Sequence, residues 1–504
     1  MMRTIFQTTL VLNTYLRLLL IFGPNLIEFL MPLRLLCIIV TLFAPFAAQS
    51  QEAPIPPEAR KVLELTIYES DLALVKDQRD FKLPTAQSTL AFLGVSGQIQ
   101  PETVLFRLLG PEPFQVIEQV FDSNVLSPQS VLQRSVGRDV SVFTPNPATG
   151  KDTVERAKVL SVDQGLVLEI GGKIHTQVPG RIVFDTLPEG LRVSPTLLMT
   201  VKGPVAKDLR AELSYLTSGL SWRTNYVADF DADEKRLDLT GWATITNTTG
   251  VDFKDTKVKL ISGDINRSAP SPQIKTMARR GGPEVAMAMA APADGIQQQS
   301  LGSYHLYNIE KPLSLENNRT KQIALLGGKG VAVKQEYIVR GEPYFYQQQM
   351  PERPPVTQAE SAITLKNDKA VGLGLPLPAG VVRVYGQDET GAPQFLGESA
   401  LNHTAEGGDV RIVVGRDFDV TSEREQKNFV RAGERIVLTT WRVSLKNAKT
   451  KPVSVRVVEP FDGAWEITRE TQAHDKANAR MAEWTITVPA KGQADLEYTA
   501  RIQN

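Results

Sequence analysis

Cysteine is almost absent: the 504-residue chain has one, Cys37. It lies in an apolar N-terminal stretch. A chain trimmed of that stretch has no disulfide, no thiolate metal ligand and no cysteine nucleophile. Histidine is nearly as scarce. The four histidines, His175, His305, His403 and His474, never fall close enough in sequence for a local metal motif, and no H-E-x-x-H occurs. Net charge is lacking too. Lys+Arg and Asp+Glu both total 56, which leaves no electrostatic footprint for nucleic acid or for an acidic membrane surface. No nucleic-acid partner and no cofactor are expected. Long amphipathic helical periods are also missing, and Pro128–Val136 is the best short helix candidate.

What is present is an ordinary globular composition, 42% hydrophobic and 22% charged. At roughly 100–200 residues per domain, the length predicts two to four domains. Near the start, Met31-Pro-Leu-Arg34 precedes the apolar run Leu35–Phe43 and the small-residue exit Ala44-Pro-Phe-Ala-Ala-Gln-Ser50. That order is the order of a secretory signal peptide. The run is shorter than the ~20 residues a membrane helix needs. Residues 1–50 therefore read as a signal region cleaved within 47–50, with translation starting at Met31. The alternative is an extended signal or an uncleaved anchor. The expected location is the periplasm or cell envelope, with no transmembrane span in the mature chain.

Residues 51–61, with Pro54, Pro56 and Pro57, read as an extended linker. Strand signals follow almost to the C-terminus. Ala494, Leu496, Tyr498, Ala500 and Ile502 alternate with polar residues; so do Trp484, Ile486 and Val488. Val453, Val455 and Val457 form another inward row, and Val437, Thr439, Trp441, Val443 and Leu445 a fourth. Period two of this kind buries one face and wets the other. The predicted fold is all-β: tandem antiparallel β-sandwich domains of the immunoglobulin-like type, with a small β-barrel-like insertion near the N-terminus. The boundaries drawn are 62–200, 201–350 and 351–504. Within the central domain, 268–300 offers neither strand alternation nor a capped helix and reads as a loop. Its Met287 and Met289, in a Met-Ala tract, are the candidates for docking a partner's apolar groove.

Chemical motifs are few. Asp229-Phe-Asp-Ala-Asp-Glu234 starts like a calcium loop, which makes Asp229, Asp231 and Asp233 weak metal candidates. Glu234 stands where that loop needs glycine and Thr240 where it needs glutamate, so a polar hairpin tip accounts for it better. Gly327-Gly-Lys-Gly330 lacks the spacing of a phosphate loop and reads as a hairpin between 322–326 and 331–339. Gly219-Leu-Ser-Trp-Arg223 has no closing glycine and is not a nucleophile elbow, which leaves Trp222 as a core anchor. No catalytic residue is assigned.

Leu65-Thr-Ile-Tyr68 through Leu72-Ala-Leu-Val75, Tyr215–Trp222 with Asn225-Tyr-Val227, Thr246-Asn-Thr-Thr-Gly250 and Ile261-Ser-Gly-Asp264 form one set of motifs. Tyr304-His-Leu-Tyr307, Leu377-Pro-Ala-Gly380, Val458-Glu-Pro-Phe461 and Trp465-Glu-Ile467 form another. Together they resemble the exported bacterial domain-of-unknown-function family 4139, related to mucoidy-inhibitor-like proteins. The resemblance implies an envelope-associated β protein and carries no activity or catalytic residues. Fuller relatives have an N-terminal coiled coil, and no heptads occur here. The function expected is a non-catalytic envelope protein that binds or scaffolds an envelope protein or glycan. The alternatives are a periplasmic hydrolase with carboxylates gathered from different domains, and a purely structural surface protein.

Overall fold

The computed structural model describes residues 52–263, 265 and 296–503, except the single positions 148, 164, 179, 189, 234, 303, 351 and 434. The signal region 1–50 and the docking candidates Met287 and Met289 lie outside the described residues. The fold is all-β, with its strands in five sheets.

Two sheets pack face to face over the largest core. The seven-stranded one runs Ile296–Leu301, Tyr304–Leu315, Phe253–Ser262, Arg60–Tyr68, Leu72–Phe81, Leu209–Thr217 and Leu105–Leu108. The five-stranded one runs Arg319–Ala332, Arg236–Asn247, Leu220–Asp231, Gly380–Gln387 and Pro393–Leu401. Leu65, Ile67, Val75 and Leu260 of the first meet Trp222, Tyr226, Leu239 and Ile245 of the second, all fully or almost fully buried. A four-stranded sheet extends the same core through Leu90, Phe92, Leu197 and Met199. Its edge strand is Glu52–Ile55, paired in parallel with 89–92, so part of the stretch read as a linker is a strand. Prolines fit there because an edge strand has one unpaired side.

The N-terminal insertion is a separate small unit. Ser127 caps the helix Pro128–Arg134, and five short strands between 139 and 183 enclose Val140, Val142, Val159, Leu168 and Ile170. Its outermost strands, Lys173–His175 and Arg181–Val183, do not pair with each other, so the sheet stays open and no barrel closes.

The C-terminal nine-stranded sheet folds over on itself. Trp484 stacks on Tyr498 with ring centroids 4.8 Å apart, although their strands lie in opposite halves of the sheet. Every inward row read from the alternation is inside: Val443, Val455, Val457, Trp484, Leu496 and Ala500 are fully buried. Two long strands join this core to the first. Asp409–Arg431 places Val410 and Ile412 in the first core and Val420 in the second. Thr357–Lys366 does the same with Ile363 and Ala359.

Sheet membership cuts across the sequence boundaries. Arg60–Tyr68 pairs in parallel with 257–261, Lys334–Arg340 joins the C-terminal sheet, and Gly380–Gln387 joins the central one. Alternation reveals which face of a strand is buried but not which strand lies beside it. Two local readings need correction. Gly327 and Gly328 do not turn a hairpin; they lie inside the single strand Arg319–Ala332, opposite Thr240 and Leu239. Gly328 is needed because a Cβ there would lie 2.7 Å from the Gly372 carbonyl oxygen. The loop assigned to 268–300 ends early, because Ile296–Leu301 is a strand paired with 304–309.

Candidate functional site

Motif segments far apart in sequence converge at one end of the central sandwich. Strand Phe253–Ser262 ends there, with Ile261 beside Tyr68 and Ser262 directly opposite His305. From the facing sheet, Trp222 Nε1 donates to the Ile261 carbonyl at 3.0 Å. The turn after Tyr68 presents Glu69. The segment 376–380 and the residues after strand Pro393–Leu401 close the group, with Leu377 and Thr404 exchanging backbone hydrogen bonds of 2.8 and 2.9 Å.

His403 sits at the centre. Its Nδ1 lies 3.2 Å from Ser262 Oγ and accepts the Ala379 N–H at 3.1 Å. Its Nε2 lies 3.7 Å from Glu69 Oε2, which also takes the Gly263 N–H at 3.4 Å. Beneath it, the Tyr226 hydroxyl donates to the Pro378 carbonyl at 2.7 Å and that of Tyr307 to the Pro376 carbonyl at 2.8 Å. Burial pushes both phenols well above their ordinary range, and the Glu69 carboxylate adds to the effect. Both stay neutral donors throughout physiological pH.

Serine, histidine and glutamate in line invite comparison with a nucleophilic triad. The hydrogen-bond roles argue against one. A backbone N–H aimed at Nδ1 places the imidazole proton on Nε2, facing Glu69. The lone pair that would take the Ser262 proton is therefore already engaged. Ser262 is only 3% exposed, while a nucleophile must meet its substrate. The arrangement works instead as a clamp between a strand end, a turn and a loop. Tyr226→Phe and Tyr307→Phe should each lower stability by about 1 kcal/mol, the net worth of one hydrogen bond. Because both bonds hold the same short loop, the double variant should depart from additivity. Urea unfolding and faster amide exchange at 376–380 are the readouts.

The calcium candidates lie elsewhere, on the hairpin between Leu220–Asp231 and Arg236–Asn247. Asp233 is ion-paired with Lys451 at 2.8 Å, which lowers its pKa, and Asp231 accepts the Asp233 N–H at 2.9 Å. Asp229 stands two residues inside the strand, opposite Asp238. No group of three or more metal-ligating side chains able to hold an ion occurs among the described residues. Surface clefts among the described residues include one of about 260 Å³ beside Lys334 and Arg456 and one of about 560 Å³ beside Arg60 and Asp252. Neither includes His403.

Sequence reasoning missed this cluster because His403 and Ser262 are 141 positions apart. It also missed two buried ionic groups. Asp77 binds both Arg60 and Arg79, and Arg424 binds Glu459; Asp77, Arg79, Arg424 and Glu459 are at most 4% exposed. Charged residues in an alternating strand read as its wet face, and only the fold reveals that these face inward. A further device recurs at strand ends. Buried Asn247, Asn367 and Asn447 each direct the side-chain amide at loop carbonyls, as in Asn247 to Val251 and Leu315 at 3.0 and 2.9 Å.

Packed sheets, antiparallel except for one parallel pair in each of four of them, with a fixed polar clamp at one sheet end define a multi-sheet β protein. No helix among the described residues is long and apolar enough to cross a membrane. The chain belongs to the family described as Domain of unknown function (DUF4139), whose model matches residues 211–503. That span holds Trp222, Tyr226, Ser262, Tyr307 and His403, whereas Glu69 comes from outside it. No curated protein matches the chain.

Proposed function

We propose that the protein is an exported, non-catalytic component of the cell envelope that binds or scaffolds another envelope protein or glycan. The signal-like stretch from Met31 to Ser50 supports export. The observation that carries the non-catalytic reading is the hydrogen bond from the Ala379 N–H to His403 Nδ1. It occupies the only lone pair through which the histidine could activate Ser262. Motif residues at this sheet end thus hold a surface in shape, which is what a recognition platform requires.

The alignment of Ser262, His403 and Glu69 keeps a hydrolase as the rival reading, and one experiment separates the two. The purified chain is treated with a fluorophosphonate, while cells carrying a photo-crosslinking residue at the exposed Asn402 are irradiated. The expected result is no label on Ser262 and a discrete crosslinked envelope component. Stoichiometric labelling of Ser262 that disappears in Ser262→Ala would overturn the non-catalytic reading. An absence of any crosslinked species at several such positions would overturn the binding one.

A further inference from the structure

The middle of the seven-stranded sheet is filled from outside the matched family span. Residues 211–503 supply Phe253–Ser262 and nearly all of Leu209–Thr217, which are not neighbours in that sheet. Between them lies the hairpin made of Arg60–Tyr68 and Leu72–Phe81. Its first strand pairs in parallel with 257–261 and its second antiparallel with 209–217. The slot is therefore two strands wide, and each wall is a row of backbone donors and acceptors that a strand must pair. The side chains of the hairpin match the slot as well. Leu65, Ile67 and Val75 are wholly buried in the central core. Polar pairs cross both seams: Glu64 with Lys259 at 3.8 Å on one side, Gln78 with Glu212 at 2.9 Å and Asp80 with Arg210 at 2.6 Å on the other. The buried Asp77 finds both of its arginine partners, Arg60 and Arg79, within the hairpin itself.

We propose that residues 60–81 are a docking hairpin: a separable ligand, supplied by the chain itself, that fills the slot in the 209–503 unit and assembles the site around His403 as it docks. The turn between its strands carries the second half of this inference. Glu69 takes the Gly263 N–H and lies 3.7 Å from His403 Nε2, and Asp71 accepts the Gly219 N–H at 2.8 Å. Both amides belong to the family span, where Gly219 precedes the strand Leu220–Asp231 and Gly263 follows Phe253–Ser262. The clamp is complete only with the hairpin in place, so any change in docking becomes a change at His403.

Docking does not depend on the envelope-binding reading, because it is measured on the purified mature chain with no partner present. A site-specific protease sequence is inserted between the exposed Pro84 and Thr85 and cut after folding. The severed segment should stay bound on gel filtration at about 1 µM. In mild urea it should exchange for a fluorescent peptide of residues 52–84. The same peptide carrying Leu65→Asp and Ile67→Asp should bind at least about a hundredfold more weakly, because two aliphatic side chains lose their burial. The four histidines all lie outside the peptide, so ring NMR reads the site directly. The His403 signal should move as the peptide returns, and should take a different position with a Glu69→Gln peptide. A severed segment that falls away without urea overturns the inference. So does a segment that never exchanges, a doubly substituted peptide that binds like the wild type, or a His403 signal indifferent to docking. Should the inserted sequence disturb folding, hydrogen exchange in the wild-type chain decides instead. The amides of 209–217 and 257–261 that face the hairpin should then open in one step with a shared urea dependence, and separate dependences overturn the inference.

Discussion

Glu459→Ala should cost the C-terminal sandwich about 3–5 kcal/mol, the price of leaving a buried cation without its counter-charge. Glu459 is 0% exposed and Arg424 4%. The carboxylate accepts from Arg424 on one oxygen and from the Tyr346 hydroxyl on the other, and Tyr346 and Tyr498 hydroxyls lie 2.7 Å apart. Burial works to lower the Arg424 pKa, and the Glu459 charge more than reverses it. Arginine is so strong a base that the guanidinium stays charged even after the substitution, with nothing to balance it. Its Nη2 already has no hydrogen-bond partner among the described residues. Arg424→Met combined with Glu459→Met should recover most of the loss, because removing both charges also removes their desolvation cost. Trp441, Trp465 and Trp484 lie in or against this core, so their fluorescence in urea reports its unfolding. A single Glu459→Ala variant within 1 kcal/mol of wild type (about a fivefold change in the unfolding constant) would show that the pair contributes nothing beyond packing. Gly341 belongs to the same environment: a Cβ there would lie 1.7 Å from Glu459 Oε2.

The sequence makes the all-β class legible through simple alternation. In 496–502 and 484–488 each apolar residue is an interior one, with Ala494 half-buried beside them, and the turn residues Gly171 and Gly172 adopt the positive φ that a two-residue hairpin requires. The pairing of strands is not legible. Arg60–Tyr68 lies beside a strand almost 200 residues later, and no local pattern encodes that neighbour. The clamp shows the same limit. Ser262 and Tyr307 stand in motifs visible in the sequence, yet His403 has no local signature, and its role arises only when 376–380 folds over the strand end. Inward charge misleads for a different reason. Asp77 and Arg79 sit at alternate positions of one strand, as two exposed residues would, and both point inside because each neutralises the other.

Asp77→Asn should destabilise the N-terminal half by about 3–5 kcal/mol at pH 7, since it strands two arginines that are wholly or largely buried. Arg79 does more than pair with Asp77. Its Nη1 donates to the carbonyls of Ile55 and Leu93 at 2.7 and 2.8 Å, which ties two strands of the four-stranded sheet to Leu72–Phe81 of the seven-stranded one. Losing its counter-charge therefore loosens a joint between sheets. The pH dependence has a definite sign. Burial by itself would raise the Asp77 pKa, but hydrogen bonds and charge from Arg60 and Arg79 outweigh it and hold the carboxyl below its ordinary value. A depressed folded-state pKa gives stability that is fully present above the unfolded value near ~3.9 and is lost as pH falls through the folded value. The gap between wild type and Asp77→Asn should therefore be flat from pH 7 to about 5 and narrow only below about pH 4. Urea midpoints of the two proteins at matched pH give that gap directly, because the other carboxylates titrate alike in both. A gap that stays constant down to pH 2.5 would mean that the two arginines do not depend on the Asp77 charge, and the joint would then rest on the Ile55 and Leu93 carbonyls alone.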